Sequence, residues 1–512
     1  MASIMALVAA PAAGADRQTE RIVERIVARH VRSIVPPDGG GGVAVALRIE
    51  GQTLFFNYGW ADRANKRPIT TDTLFNLASL RKVFETTLLA QAVGNGELRL
   101  DDPVAKYVVE LDRDGDIGRV TLGQLATHTS GLLLPQDHPP WPDWGYTLPE
   151  FIRTLNAWKA DKAPGHQHLY THAGYVLLHL ALERRYGMPI DELIEQRLTR
   201  PLAMTSTVLP RQDDSARGRL AGEHKRRAVQ GYSDEGEPIG EPGNQESYYH
   251  WPGTGQMYSS ARDMAVFLAA NLGELPVERS LREAMRLAQQ DVWTIGPRNR
   301  QALAWEVLVG DAPTITEKYG GLNNASAYIG MMPRRRLGIV ILGNRGNQYP
   351  NEAGRRILLE LAAFRRLRAW MRVTCAHRSS GRWRPVVFAH AQLAHRQLVH
   401  FERLKTRLLD RYAADGEPAD RQRADGNGSE RSRADRKRDH AGGGNGFGSA
   451  NDSTRHRGLR QAAGFRRRRG EITPASRQHI GRLADEPQWP PRGRGCHSDL
   501  PALRRTSLLL AC

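Results

Sequence analysis

The chain has 512 residues and a formal net charge of +18, but of its 73 basic and 55 acidic side chains residues 1–361 hold 41 of each, so the whole excess lies in residues 362–512. All three cysteines, Cys375, Cys496 and Cys512, lie there too, which excludes a disulfide, a Cys-ligated metal and a Cys redox motif from the first 361 residues. That length is ample for a large core in one domain or two lobes, and no run of about 18 apolar residues offers a transmembrane helix.

In chain order, Ile4 to Ala13 is apolar, and Ala13-Gly14-Ala15 is a small-x-small triplet before Asp16. This predicts a shortened signal peptide over residues 1–15, without the usual basic start, and export to the periplasm or beyond the cell. From Gln18 to Val35, Ile22, Val23, Ile26, Val27, Val31 and Ile34 recur at helical spacing, and Pro36-Pro37 ends the amphipathic helix they predict. Val43 to Ile49 and Thr53 to Tyr58 are β-rich runs around Glu50-Gly51-Gln52, which predicts a hairpin. A second helix is expected from Leu80 to Val93, closed by Gly94-Asn95-Gly96. A helix-and-loop middle follows from Asp101 to Ala304, with Pro139 to Trp144 and Arg211 to Gln245 as its main loops. Ala325 to Met331 and Leu337 to Leu342 are strand-like, and another helix begins at Asn351 to Leu361. Strands at both ends with helices between them predict an α+β fold. Its antiparallel sheet would be built from both ends of the body, flanked by helices, with a largely helical inserted lobe.

The folded body is expected over residues 16–372. In residues 373–512 the composition turns Arg-rich, and stretches such as Ala424 to Gly448 have no apolar period, so this segment should not form a core. It is the composition of a GC-rich gene read past its stop or out of frame, or of a solvated natural tail. A nucleic-acid arm centred on Arg466 to Arg469 is disfavoured, because no aromatic platform accompanies the charge.

Ser79-Leu80-Arg81-Lys82 puts a hydroxyl and an ammonium one turn apart on a predicted helix, where they can touch. A serine is a poor nucleophile until a base takes its proton, and a desolvated lysine can serve or hold a positive field beside it. With 21 Ser and 9 Lys in the chain, chance gives about 0.4 Ser-x-x-Lys, and this is the one that occurs. Taken alone, Ser79 reads more readily as an ordinary helix N-cap.

Its company is Tyr170-Thr171-His172 and Glu317-Lys318-Tyr319-Gly320-Gly321. With these the chain resembles the class C serine β-lactamases and their relatives, the D-alanyl-D-alanine peptidases and family VIII-type esterases, which carry Ser-x-x-Lys, Tyr-x-Asn and Lys-Thr-Gly in this order. Leu125 to Gly131, Pro164-Gly165, Pro201 to Met204, Leu303 to Glu306 and Leu337 to Asn344 are similar to further landmarks, and the resemblance spans about Arg21 to Leu361.

The resemblance implies Ser79 as acylated nucleophile, Lys82 as the cation bonded to it, and Tyr170 as the group that takes its proton and later activates water. A phenol with an ordinary pKa near 10 needs neighbouring cations for that work, and Lys82 and Lys318 would supply them. It implies an oxyanion hole from the backbone N–H groups of Ser79 and Gly321, with Gln136 and Asn351 binding substrate. His172 replaces the family's Asn and Tyr319 its Thr, both at substrate-binding positions. A neutral imidazole can donate and accept like an amide, but it gains charge below about pH 6.5.

Other features carry less. His166, His168 and His172 have zinc-like spacing but no carboxylate nearby in sequence. His128 is expected to be a hydrogen-bonded structural residue. Gly39 to Gly42 lacks the Lys-Ser/Thr of a phosphate loop, and the Ser-Asp-Asn of class A enzymes is absent. The expected function is a serine β-lactamase acting on a small β-lactam as a monomer, with no metal or organic cofactor. The alternatives are an esterase or D-alanyl-D-alanine carboxypeptidase of the same fold or, remotely, an inactive body whose basic tail binds nucleic acid.

Overall fold

The computed structural model describes residues 17–134, 147–210, 220–243, 256–310 and 312–379, with side chains described from 20 to 365 within them. Its strands in chain order are β1 Gly42–Ile49, β2 Gln52–Asp62, β3 Arg67–Pro68, β4 Leu74–Asn76, β5 Gly231–Tyr232, β6 Pro238–Ile239, β7 Tyr258–Ser260, β8 Trp293–Thr294, β9 Asn299–Gln301, β10 Glu306–Leu308, β11 Ile315–Leu322, β12 Ala325–Met332 and β13 Leu337–Gly343. Nine form one antiparallel sheet in the order β3-β2-β1-β13-β12-β11-β10-β9-β8. The expected hairpin is β1 and β2, and β1 pairs with β13 from Val43↔Gly343 to Ile49↔Leu337, so the two ends of the body close one sheet. This is the α+β arrangement anticipated from the sequence.

Because successive strand side chains point to opposite faces, each central strand serves two cores. Ala44, Ala46, Val340 and Leu342 join the larger core with Phe84, Phe267 and Leu268 of the helices Arg81–Gly94 and Ala261–Asn271. Val43, Val45, Leu47, Ile339 and Ile341 join a second core with Val23, Val27 and Val31 of the helix Arg17–Val31 and Ile357 and Leu358 of the helix Pro350–Ser379. Apolar side chains on both faces let helices pack on both.

Three details differ from the sequence expectation. The first helix stops at Val31, and Ile34 and Val35 continue as a turn whose N–H groups donate to Val31 O at 3.0 and 3.2 Å. The middle contains strands of two or three residues, too short for a period-2 signal, and β8 and β9 extend the main sheet. The last helix runs past Arg372 to Ser379. Among the described residues, no helix is long and apolar enough to cross a membrane.

Ile341, fully buried and in register with Val45, tests the second core. Ile341→Ala should cost about 2–5 kcal/mol of unfolding free energy, read from denaturant midpoints, against little effect for the exposed Val109→Ala.

Candidate active site

Ser79 lies in the 3-10 turn Ala78–Leu80, which leads into the helix Arg81–Gly94. No side chain caps that helix, so the N-cap alternative for Ser79 does not hold. Ala78 has φ +47°, a left-handed backbone that alanine rarely adopts. The turn is held by Ala78 N donating to Asn76 Oδ1 at 2.9 Å and Leu77 N donating to Met257 O at 2.7 Å. This keeps the hydroxyl out of the core and partly exposed.

Tyr170 arrives on the segment before the helix Ala173–Tyr186. Gly165 N donates to Thr129 O and Leu169 N to His128 O, both at 2.7 Å, and Thr171 N donates to His128 Nδ1 at 3.4 Å. The His128 ring lies 4.2 Å from the Tyr170 ring, so the residue expected to be structural does hold the loop. Tyr170 Oη and Ser79 Oγ are 2.8 Å apart, and Lys82 Nζ donates to Ser79 Oγ at 3.2 Å. Lys318 comes from β11, and its Nζ lies 5.1 Å from the Tyr170 ring centre, with Lys82 Nζ at 5.3 Å. The distances place both ammonium groups in the range of cation–π attraction.

This geometry sets the charges. Burial pushes the Tyr170 phenol up, but Lys82 and Lys318 outweigh it and leave the phenol below its ordinary value. Burial also holds the Lys82 ammonium below its usual value, against the opposing pull of Tyr170. His128 stays neutral, because burial and the two lysines keep it far below the ordinary imidazole value. Lys318 Nζ donates to Glu306 Oε1 at 3.2 Å. Burial would raise the Glu306 carboxyl, but Lys318 and Arg355 hold it below the usual range.

β11 passes close beside Ser79. A Cβ on Gly320 would lie 2.8 Å from both Ser79 N and Leu77 O, so any side chain there would force the strand away. Next along β11, a Cβ on Gly321 would lie 2.7 Å from the Tyr319 hydroxyl oxygen, so the large Tyr319 and the bare Gly321 fit as a pair. His172 precedes the helix Ala173–Tyr186, with its ring edge-on to Tyr170 at 5.7 Å. Asn351 begins the last helix on a separate element, and its buried Oδ1 has no hydrogen-bond partner. Gln136 lies outside the described residues.

The three histidines of zinc-like spacing turn different ways. His166 Nδ1 faces Ala163 O at 3.1 Å, His168 Nε2 faces Gln301 Oε1 at 2.9 Å, and His172 sits against Tyr170. Among the described residues, no group of three or more His, Cys, Asp or Glu could hold a metal. Sequence reasoning gave Glu306 no role, since its contact with Lys318 arises only from the pairing of β10 with β11.

A serine between a lysine and a tyrosine, in the turn that opens a helix beside an antiparallel sheet, is the arrangement of a serine hydrolase. The family model Beta-lactamase matches residues 27–364. A β-lactamase of Escherichia coli K12 is 27% identical over 365 residues, covering 65% of this chain and 90% of the relative. One from Pseudomonas fluorescens is 26% identical, covering 64% and 95%. Among solved structures, a class C β-lactamase aligns with TM-score 0.58 at 23% identity, over 67% of this chain and 97% of that one. A β-lactamase/D-alanine carboxypeptidase from Pseudomonas syringae aligns with TM-score 0.56 at 25% identity, over 66% and 98%. The chain belongs to the β-lactamase family.

Lys318 tests the electrostatics. Lys318→Ala removes one of the two cations that lower the phenol, so Tyr170 should ionise at higher pH. With Tyr170 expected to take the Ser79 proton as phenolate, the acid limb of the pH–rate profile should move upward and the neutral-pH rate fall by about 10²-fold or more. Profiles of the two proteins on one substrate check this; an unmoved limb removes Lys318 from the account.

Proposed function

We propose that the protein is a serine β-lactamase acting through a Ser79 acyl-enzyme. The observation that carries this is the Ser79 hydroxyl lying 2.8 Å from Tyr170 Oη and 3.2 Å from Lys82 Nζ. Tyr170, as phenolate, takes the Ser79 proton while Oγ attacks the lactam carbonyl. The backbone N–H groups of Ser79 and Gly321 stabilise the resulting oxyanion. The carbonyl–nitrogen bond then breaks, and the ring nitrogen receives the proton held by Tyr170. Tyr170, ionised again, draws a proton from water as that water attacks the acyl ester; the carbonyl–Oγ bond then breaks and Tyr170 returns the proton to Ser79 Oγ, 2.8 Å away, which regenerates both the serine and the phenolate. Gln136, His172, Tyr319 and Asn351 are assigned to substrate binding.

Export to the periplasm or medium fits the apolar residues 4–13 and the small residues before Asp16. The protein is assigned as a monomer, with residues 16–372 as its hydrolase body and the basic segment 373–512 taking no part in the reaction.

A second reading, a D-alanyl-D-alanine peptidase or esterase of the same fold, is favoured by one observation. Tyr319 and His172 put bulkier side chains where the family pattern has Thr and Asn.

Turnover of a penicillin, a cephalosporin and a short-chain ester separates these readings. β-Lactam consumption by the parent and none by Ser79→Ala is the expected result. Consumption of the ester alone would favour the second reading, and residual activity in Ser79→Ala would displace the nucleophile. His172→Asn should raise β-lactam turnover and make the rate less sensitive to acid, because an amide does not charge as an imidazole does. Superimposable profiles for this variant and the parent would take His172 out of the site.

A further inference from the structure

Behind Lys82, the helix Arg81–Gly94 buries two charged groups that the hydrolytic reading leaves unused. The side chains of Arg81 and Glu85 are 2% and 0% exposed, and Arg81 Nε donates to Glu85 Oε1 at 2.8 Å. Glu85 stands three residues after Lys82, which puts both on one side of the helix. Its second oxygen, Oε2, is buried without a hydrogen-bond partner.

On the helix Ala173–Tyr186, Tyr175, His179 and Glu183 recur every fourth residue and so form one stripe. That stripe faces the same place. The Tyr175 ring centre lies 5.2 Å from Lys82 Nζ, Arg81 Nη2 lies 2.9 Å from His179 Nδ1, and His179 Nε2 lies 3.1 Å from Glu183 Oε1. A guanidinium only donates, so Nδ1 accepts, and the ring proton sits on Nε2 and is directed at Glu183. The Glu183 side chain is 31% exposed, so the series of polar contacts beginning behind Lys82 reaches the surface.

Burial pushes the Glu85 carboxyl above its usual range, against the opposing pull of Arg81, His179 and Lys82, and a buried carboxylate persists only where such charges and hydrogen bonds hold it. Burial also disfavours the Lys82 ammonium, although phenolate formation at Tyr170 depends on that charge. The groups facing Lys82 are Tyr170 from its loop, Lys318 from β11, Tyr175 from the facing helix and Glu85 from its own helix. His128 and Tyr175 are both held neutral by burial.

We propose that Glu85 is a positioning residue, the buried counter-ion that keeps Lys82 protonated beside Ser79, and that Arg81, His179 and Glu183 keep Glu85 ionised. This rests on the reading of Ser79 as the acylated nucleophile.

The sign of the effect follows from charge. An anion near an ammonium raises its pKa, so removing the anion lets Lys82 lose its proton at lower pH. In Glu85→Gln the alkaline limb of the pH profile for acylation by benzylpenicillin, read by intact mass, should fall by about one pH unit, with the rate below that limb changed only a few fold. Arg81→Gln should shift the limb the same way, because Glu85 then protonates, whereas simple loss of a cation would shift it upward. Should Glu85→Gln not fold, Glu183→Gln at the partly exposed end carries the test, with a smaller shift of the same sign. An alkaline limb that stays in place while thermal stability falls would make the cluster purely structural and overturn the proposal. A parent protein that benzylpenicillin never acylates would instead defeat the hydrolytic reading itself.

Discussion

The site depends on holding the pKa of one phenol down in a place where burial pushes it up. Tyr170 lies against the hydroxyl of Ser79, and burial alone would make it a weaker acid than free tyrosine. Two ammonium groups close to its ring reverse that, and the rest of the site can be read as the means of delivering them. One comes from the helix that follows Ser79, the other from an inner strand of the main sheet. The hydrolase body therefore has to fix a helix start, a loop and a strand relative to one another.

The two cores accomplish this. Central strands bury both faces, so helices lock the sheet from either side. The lack of a side chain at Gly320 lets β11 approach the Ser79 turn, and the left-handed Ala78 sits in the turn that leaves the hydroxyl partly exposed. Glu306 holds Lys318 from the neighbouring strand, and His128 holds the Tyr170 loop through its backbone. Each support is a short contact between elements that the topology brings together.

This explains what could be read from the sequence. The hairpin, the helix after Ser79 and the closing strands declared themselves by period, because their signals are local. Ser79 and Lys82 were legible for the same reason, being one helical turn apart. Tyr170 lies 91 residues from Ser79 in sequence, and no periodicity links them; only resemblance placed it and Lys318 in the site. Glu306, Gly320 and Glu85 were given no individual role, because a strand pairing, a close backbone approach and a helix–helix contact leave no mark on spacing. The short strands of the middle region went unread because two or three residues cannot display an alternation.

The central claim is most directly tested by titrating Tyr170 itself. In protein labelled with ¹³C at the tyrosine ζ carbon, the Tyr170 resonance, assigned by its absence in Tyr170→Phe, should move to the phenolate position at a pH below the value of about 10 for free tyrosine. A resonance that titrates at or above that value, as burial alone would dictate, would contradict the account.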